Sequence, residues 1–399
     1  AIRLHAPWLA LLARSVLGQL HALSRTCSLR DTQMNTREGQ HAMAFDDQGV
    51  RQEVDDEEMQ ALNPAAERIG NGIAEVDHRA LEIENGKPRH QNTRALWEVW
   101  PSENMFFCRG LCMTGGSEEC WAPNLCVWTC IMVPCSCFFI WVFPSLWRRG
   151  AYALPVAVLA VFLMTTGLLC ATCCTDPGII PRREVILATQ CAAELEAALG
   201  YDVLGGSHNG SEPTLDPKLK NQGYRWCRTC RIVRPPRASH CSDCDNCVLR
   251  YDHHCPFVNN CVGQRNYHFF FGFITSVLLL AMLVIPSVMT YFSSVNAEVS
   301  LKGMSQVSTS MRMVLYAMAF GGFLIVVAAL LSCILWTYHV FLITSGKTTK
   351  EYRKSIPNIN EEPTLCAPRG PPLFNPWTQV NPQDLVGARD RSRRSSSYY

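Results

Sequence analysis

Charged side chains are scarce in this sequence. Asp, Glu, Lys and Arg make up 18% of 399 residues, against 48% hydrophobic. Ordinary soluble domains carry about 25% charge, so much of this chain has no polar face to offer water. A net charge is nearly missing too, at a formal +2, which excludes an overall polyelectrolyte partner. No internal repeat is visible, so a solenoid is excluded. Cysteine is the exception, with 21 residues, yet a secreted disulfide scaffold does not fit their placement. Seven crowd into 227–261 at metal-type spacings and many others lie in apolar runs, the usage of a reducing compartment with metal sites.

Four runs lack charge over the length of a bilayer core, about 20 residues in a helix. They are Ala122–Trp147 ("NLCVWTCIMVPCSCFFIWVF"), Ala151–Thr175, His268–Ala297 and Met313–Gly346. Buried helices of a soluble domain would show charged faces at helical spacing, and none does. Pro134, Pro155 and Pro286 mark kinks or span ends. The expected fold is therefore an α-helical polytopic membrane protein, with four transmembrane helices and a cysteine-rich, two-metal domain between the second and third.

An even number of spans leaves both termini on the side of segment 176–267, which holds eleven Lys and Arg. The connection after the first span has only Arg148 and Arg149, and 298–312 only Lys302 and Arg312. The positive-inside tendency puts termini and middle segment in the cytoplasm. On that topology "NGS" at Asn209–Ser211 is a sequon that never meets the lumen.

The organisation reads as an N-terminal cytoplasmic segment 1–93 without the composition for a core, and a pre-membrane segment 94–121. Spans follow at 122–147 and 151–175, then a linker 176–226 and the cysteine-rich domain 227–267. Further spans at 268–297 and 313–346 lead to a tail 347–399 that ends in the basic, Ser-rich "RDRSRRSSSYY". Residues 1–30 hold Arg3, Arg14, Arg25 and Arg30 and no acid, and read as a leader without fixed structure, with an amphipathic targeting segment as the alternative. "CAAELEAAL" (191–199) reads as a short soluble helix.

The chemistry concentrates between Cys227 and Cys261. The run supplies seven cysteines (227, 230, 241, 244, 247, 255, 261) and three histidines (240, 253, 254). A lone CxxC says little, but this whole run suits tetrahedral zinc. Two closed sites take eight of the ten groups. With Cys3His at each, one cysteine and one histidine remain, the ingredients of an activated thiol. Asp252 stands next to His253, where a carboxylate can orient an imidazole. His253 and Cys255 are two apart, so an extended segment puts them on one face. The purely structural alternative makes Cys255 a ligand as well.

At these residues the chain resembles the DHHC family of protein S-acyltransferases (palmitoyltransferases), over roughly residues 94–385. "DPG" at Asp176, Pro177 and Gly178 follows the second span, as in the family. "TTKE", with Thr348, Thr349 and Glu351, matches the TTxE motif after the fourth. "FNPWTQVNPQDLVG" places Asn381 in the family's C-terminal Asn position, and "LWEVWPSENMFFCRG" is similar to the Ras-palmitoylating branch and its plant relatives. The resemblance implies one zinc on Cys227, Cys230, His240 and Cys247 and another on Cys241, Cys244, His254 and Cys261. It leaves Asp252, His253 and Cys255 for catalysis. Phe257 stands where the family usually has Trp, and Trp377 where Tyr or Phe is commoner.

The implied activity is transfer of a long-chain acyl group, palmitate, from palmitoyl-CoA through acyl-Cys255 to cysteines of membrane-associated proteins. The competing function is a non-catalytic membrane scaffold whose zinc module binds proteins. Burying a fourteen-carbon chain stretch between the spans is worth about 11 kcal/mol. Arg234, Arg237 and Phe257 are the expected acyl-CoA contacts, and membrane lipid the expected surroundings. Some relatives work with an accessory subunit, and the subgroup resemblance suggests Golgi or another endomembrane. Cys173 and Cys174 at a membrane edge are candidates for acylation. His339, an ionisable group in the fourth span, is either functional or a packed neutral donor.

Overall fold

The computed structural model describes residues 93–116, 121–207, 209–302, 308–356 and 363–385. These fall almost wholly in one compact unit, while a second, Ser28–Arg94, lies outside the described residues except at its last two positions. The readings made for the leader, for 31–92 and for the basic tail beyond residue 385 likewise lie outside them.

Four helices are long and apolar enough to cross a membrane: α1 (Ala122–Arg148), α2 (Ala153–Cys174), α3 (Tyr267–Lys302, apolar as far as Ala297) and α4 (Thr309–Thr344). The cysteine-rich domain lies between α2 and α3, so the membrane architecture expected from the uncharged runs is present. Helix α3 packs between α2 and α4, and α1 packs on α4. Phe138, Val158, Leu169, Phe270, Val284 and Met318 fill the space among them. The opposite face of α4 leaves Phe323, Leu330, Leu331 and Ile334 exposed, which is what contact with lipid requires.

Helix α1 is not uniform. It widens into a π turn at Phe138–Val142, just ahead of Pro144. Proline has no N–H to give and its ring crowds the carbonyl four residues back, so an extra residue in the turn relieves the clash. Pro134 lies inside the preceding α-helical part and is buried.

Outside the spans the chain forms short antiparallel ladders. The pre-span hairpin pairs β1 (Asn104–Phe107) with β2 (Cys112–Gly116). The linker contributes β3 (Ile179–Ile180) and two short helices, Arg183–Thr189 and Ala192–Leu199. The metal-type run folds as β4 (Arg225–Cys227) with β5 (Ile232–Arg234), β6 (Ser239–Cys241) with β7 (Asn246–Val248), and β8 (His253–Cys255) with β9 (Asn260–Val262). Strand β3 adds to the edge of β7.

The sequence of the module suggests that metal replaces an apolar core, and the structure modifies this. Ile180, Ile186, Leu195, Val203 and Leu373, all from outside 227–267, pack with Ile232, Val233 and Cys227, Cys230 and Cys247. The module borrows its core from the segments that flank it.

Candidate active site and metal clusters

Each ladder of the module presents cysteines at a tight turn. In Cys227–Cys230 the backbone closes with Arg231 N–H donating to Cys227 O at 2.8 Å, and Arg231 takes a left-handed φ of 52°. The result is two groups of potential metal ligands, Cys227, Cys230, His240, Cys247 and Cys241, Cys244, His254, Cys261, with the ligand atoms of each group within 4.8 Å of one another. In the second, His254 Nδ1 lies 3.7, 3.4 and 3.6 Å from the sulfurs of Cys241, Cys244 and Cys261. In the first, His240 Nδ1 lies 3.4 Å from Cys230 and 3.9 Å from Cys247. These eight residues can hold two metal ions.

Cys255, His253 and Asp252 stand outside both groups. Strand β8 explains the separation through the alternation of side chains along an extended backbone. His254 faces the cysteines of the second group, and its neighbours His253 and Cys255 share the opposite face. Asp252 Oδ2 lies 2.6 Å from His253 Nδ1, which leaves Nε2 for the Cys255 thiol, and the imidazole is hydrogen-bonded to both.

The site polarises its own thiol. Burial opposes a charge on His253, but the hydrogen bonds to Asp252 and Cys255 outweigh it and push the imidazole up to about 10. Burial raises Cys255, and the His253 hydrogen bond and charge, with the backbone N–H groups of Val258 and Phe257, bring the thiol below its ordinary value. Both directions favour a thiolate facing an imidazolium. Asp252 is held below the usual carboxylate range because the His253 contact overcomes complete burial.

Asp252 is itself anchored from the far end of the membrane domain. Thr349 donates to it twice, from its backbone N–H at 2.9 Å and from Oγ1 at 2.6 Å. Thr349 opens the short helix α5 (Thr349–Arg353), which begins with a capping box: Thr348 accepts from Glu351 N–H, and the Glu351 carboxylate accepts from Thr348 N–H. Glu351 also receives a two-point ion pair from Arg237, Nε to Oε1 at 2.8 Å and Nη2 to Oε2 at 2.9 Å. The TTKE residues thus brace the Asp252–His253 pair against the end of α4. Arg237, expected from the resemblance at acyl-CoA, has a side chain only 3% exposed and commits its guanidinium to Glu351. Arg234 differs, since its buried Nε has no hydrogen-bond partner. Phe257 is 51% exposed, with its carbonyl receiving Asn124 Nδ2 from the start of α1.

Several residues that fix the site carried no signal in the metal spacing. Asn260, opposite Cys255 in the ladder, donates Nδ2 to the carbonyls of Cys173 and Thr175 at the end of α2. Asn266 donates to Thr172 O and Cys261 O and accepts from Gly263 N–H. Together they satisfy carbonyls at the end of α2 and tie the loop that carries Cys255 to that end of the helix. Asp176 accepts from the N–H groups of Gly178 and Ile179 and pairs with Arg265. Gly263 admits no side chain, because a Cβ there would meet Pro177 O at 2.6 Å. Asn381 accepts from Gln383 N–H in the C-terminal segment and does not join the dyad. His339 is buried on Tyr267, whose hydroxyl lies 3.0 Å from its Nδ1, and its ring lies 6.0 Å from that of His253.

A Cys–His–Asp constellation, spared by two potential metal-ligand clusters and set between membrane-capable helices, defines a thiol site at the membrane boundary. Comparison with known proteins carries the definition further. Residues 220–356 match the DHHC palmitoyltransferase family and form a domain of that family. Palmitoyltransferase ZDHHC18 of Homo sapiens is 36% identical over 204 residues, 50% of this chain and 50% of the relative. Palmitoyltransferase ZDHHC14 of Homo sapiens is 32% identical over 290 residues, covering 72% of this chain and 55% of the relative. Palmitoyltransferase ZDHHC9 of Danio rerio is 34% identical over 195 residues, 47% and 48% of the two chains. The chain spans about half the length of these relatives.

Proposed function

We propose that the protein is a protein S-acyltransferase that moves a long-chain acyl group, palmitate, from acyl-CoA to cysteines of membrane-associated proteins through acyl-Cys255. The observation that carries this reading is the Asp252–His253–Cys255 alignment on the face of β8 turned away from the metal ligands. The Cys255 thiolate attacks the thioester carbonyl, and collapse of the tetrahedral intermediate expels CoA, whose sulfur takes the proton held on His253. In the second half His253 accepts the proton of an incoming substrate thiol. That thiolate attacks acyl-Cys255 and regenerates the resting pair. Asp252 keeps the imidazole oriented and favours its charged form throughout.

Zinc suits both ligand groups. A tetrahedral ion with Zn–S of about 2.3 Å and Zn–N of about 2.0–2.1 Å sets sulfur and nitrogen about 3.5 Å apart, close to the Nδ1–sulfur separations of 3.4 to 3.9 Å at His254 and His240. The ions would be structural, with no open position and no step of the transfer. Arg234 is offered to the CoA phosphates by its unpartnered Nε, and Phe257 to the pantetheine or upper acyl chain by its exposure. The acyl chain would enter among α1, α3 and α4, where Ile131, Cys135, Leu280 and Ala329 line an apolar gap of about 20 Å³. A gap of that size has room for about one water molecule, so the spans must part to admit the chain. Orientation with the module in the cytoplasm and residence in Golgi or another endomembrane complete the proposal, supported by the basic middle segment and the subgroup resemblance. The protein substrates and any accessory subunit are left to experiment.

Incubation of the purified chain with labelled palmitoyl-CoA tests the reading. Wild type should accumulate a hydroxylamine-labile acyl group, and Cys255→Ser should accumulate none while keeping its metal. His253→Ala should load about 10²–10⁴ more slowly. Wild-type loading by Cys255→Ser would refute the mechanism, and a protein that never loads would restore the scaffold reading.

A further inference from the structure

A cavity of about 520 Å³ lies against the Asp252–His253 pair, and its lining brings Asp243, His254 and Thr349 together with Lys350, Arg353 and Lys354. Cys255 is not among its lining residues. The three cations outnumber the carboxylates that face them in this cavity. Glu351, the acid of their own helix, is bound to Arg237. Asp252 is wholly buried and held by His253 and Thr349, which leaves the lining carboxylate of Asp243, hydrogen-bonded by Ser242, to face three cations. Burial, then the nearby charges of Lys354 and Arg234, lower the proton affinity of Lys350, and its ammonium rests over the Tyr251 ring at 5.0 Å.

The position of α5 indicates which anion can reach these cations. Tyr352, 46% exposed, packs its ring against Phe341 at 5.4 Å and Tyr338 at 6.1 Å, both in the last turns of α4. Amphipathic aromatic rings at the end of a span mark head-group level. Lys350, Arg353 and Lys354 lie within two residues of that ring along the chain, which puts them at the same level beside the membrane surface. Basic residues directly beyond a span attract anionic lipid. A phosphate monoester, at about −1.5 to −2 charge and with three acceptor oxygens, matches three converging cations better than the single charge of a diester.

We infer that Lys350, Arg353 and Lys354 form a binding site for a lipid head group bearing a phosphate monoester, next to the Asp252–His253 pair. Binding stiffens α5 and with it the Thr349 hydrogen bonds to Asp252, so occupancy speeds acyl loading. Only this effect on loading rests on the acyltransferase reading; the binding itself does not.

The test uses the full chain in nanodiscs of phosphatidylcholine alone, with phosphatidylserine, or with phosphatidylinositol 4-phosphate. Native mass spectrometry reads retained lipid. Wild type and Cys255→Ser should both retain the phosphoinositide in preference to phosphatidylserine. Lys350→Gln/Arg353→Gln/Lys354→Gln should lose it while keeping two metal ions per chain as the sign of a folded module. Acyl loading of wild type should rise several-fold with the phosphoinositide, and that of the triple variant should not. Equal retention of phosphatidylserine would reduce the site to diffuse charge and overturn the inference. Displacement of the lipid by CoA, in wild type only, would assign the site to the acyl donor and also overturn it. Soluble inositol phosphate or inorganic phosphate binding as well as the lipid does would refute a membrane source. Lipid retention by a protein that never loads would defeat the acyltransferase reading and leave this site standing.

Discussion

The two metal-ligand clusters have the same composition and opposite relations to the nucleophile. The first, Cys227, Cys230, His240 and Cys247, is wrapped by apolar residues of the linker and the C-terminal segment. Its histidine is backed by Asp245, at 3.5 Å from Nε2, and Asp245 by the buried Arg182. The second, Cys241, Cys244, His254 and Cys261, takes its histidine from the middle of β8, between His253 and Cys255. Any ion there is held by the residue next to Cys255, one peptide bond away. One cluster organises the module's fold, and the other sets the position of a thiolate.

Removing one ligand from each cluster tests that division most severely. Cys261→Ser should lose one ion and release the strand that carries Cys255. A shift of 1 Å at a reacting atom costs about 10² in rate, so acyl loading should fall by at least that factor. Cys227→Ser should also lose one ion, and its main effect should be faster proteolysis, with loading per folded molecule falling much less. Metal content, limited proteolysis and loading on the same preparations give the comparison. Equal loss of loading at equal folded fraction would erase the distinction between the clusters.

A smaller effect is expected from the brace on the dyad. Thr349→Val removes the hydroxyl donor to the buried Asp252 carboxylate and leaves the backbone N–H donor in place. A hydrogen bond to a charged group is worth about 1.5–3 kcal/mol, which corresponds to loading roughly ten- to a hundredfold slower. Metal content should stay at the wild-type level, and Thr349→Ser should recover most of the rate. If Ser did no better than Val, the hydroxyl would have no part in orienting the pair.

Much of the site was legible in the sequence because its signals are local. The spacing within 227–261 separates ten coordinating groups into eight and two by counting alone, and the period of an extended strand puts His253 and Cys255 together. The four spans were equally readable, since a run without charge over the length of a bilayer has few other meanings. What stayed hidden was contact between distant segments. Thr349 and Asp252 are 97 positions apart, and Arg237 and Glu351 are 114 apart. Arg237 stands in a run of cations that reads as a surface for phosphate, and only its partner reveals an internal strut. Asn260 and Asn266 look like loop residues until the carbonyls at the end of α2 are seen beneath them. The apolar shell of the first cluster escaped for the same reason, because its Ile, Val and Leu residues come from outside the module.

The mildest perturbation falls on the first cluster's outer support. Asp245 takes a left-handed φ of 50° directly after the second CxxC turn, and its carboxylate lies between His240 and Arg182. Such a carboxylate fixes the imidazole's orientation and raises its strength as a ligand, and its loss typically lowers metal affinity by about 10–100-fold. Asp245→Asn keeps the shape, and asparagine tolerates the left-handed backbone, so strain does not cloud the result. It also leaves Arg182 buried at 2% exposure with its counter-charge gone, so a lowered melting temperature should accompany the weaker site. Chelator titration should therefore strip one ion early and the other at the wild-type point. Acyl loading in excess metal should stay close to wild type, because the dyad hangs from the second cluster. A fall in loading that excess metal cannot restore would show the clusters acting as one unit, and the contrast between them would fail.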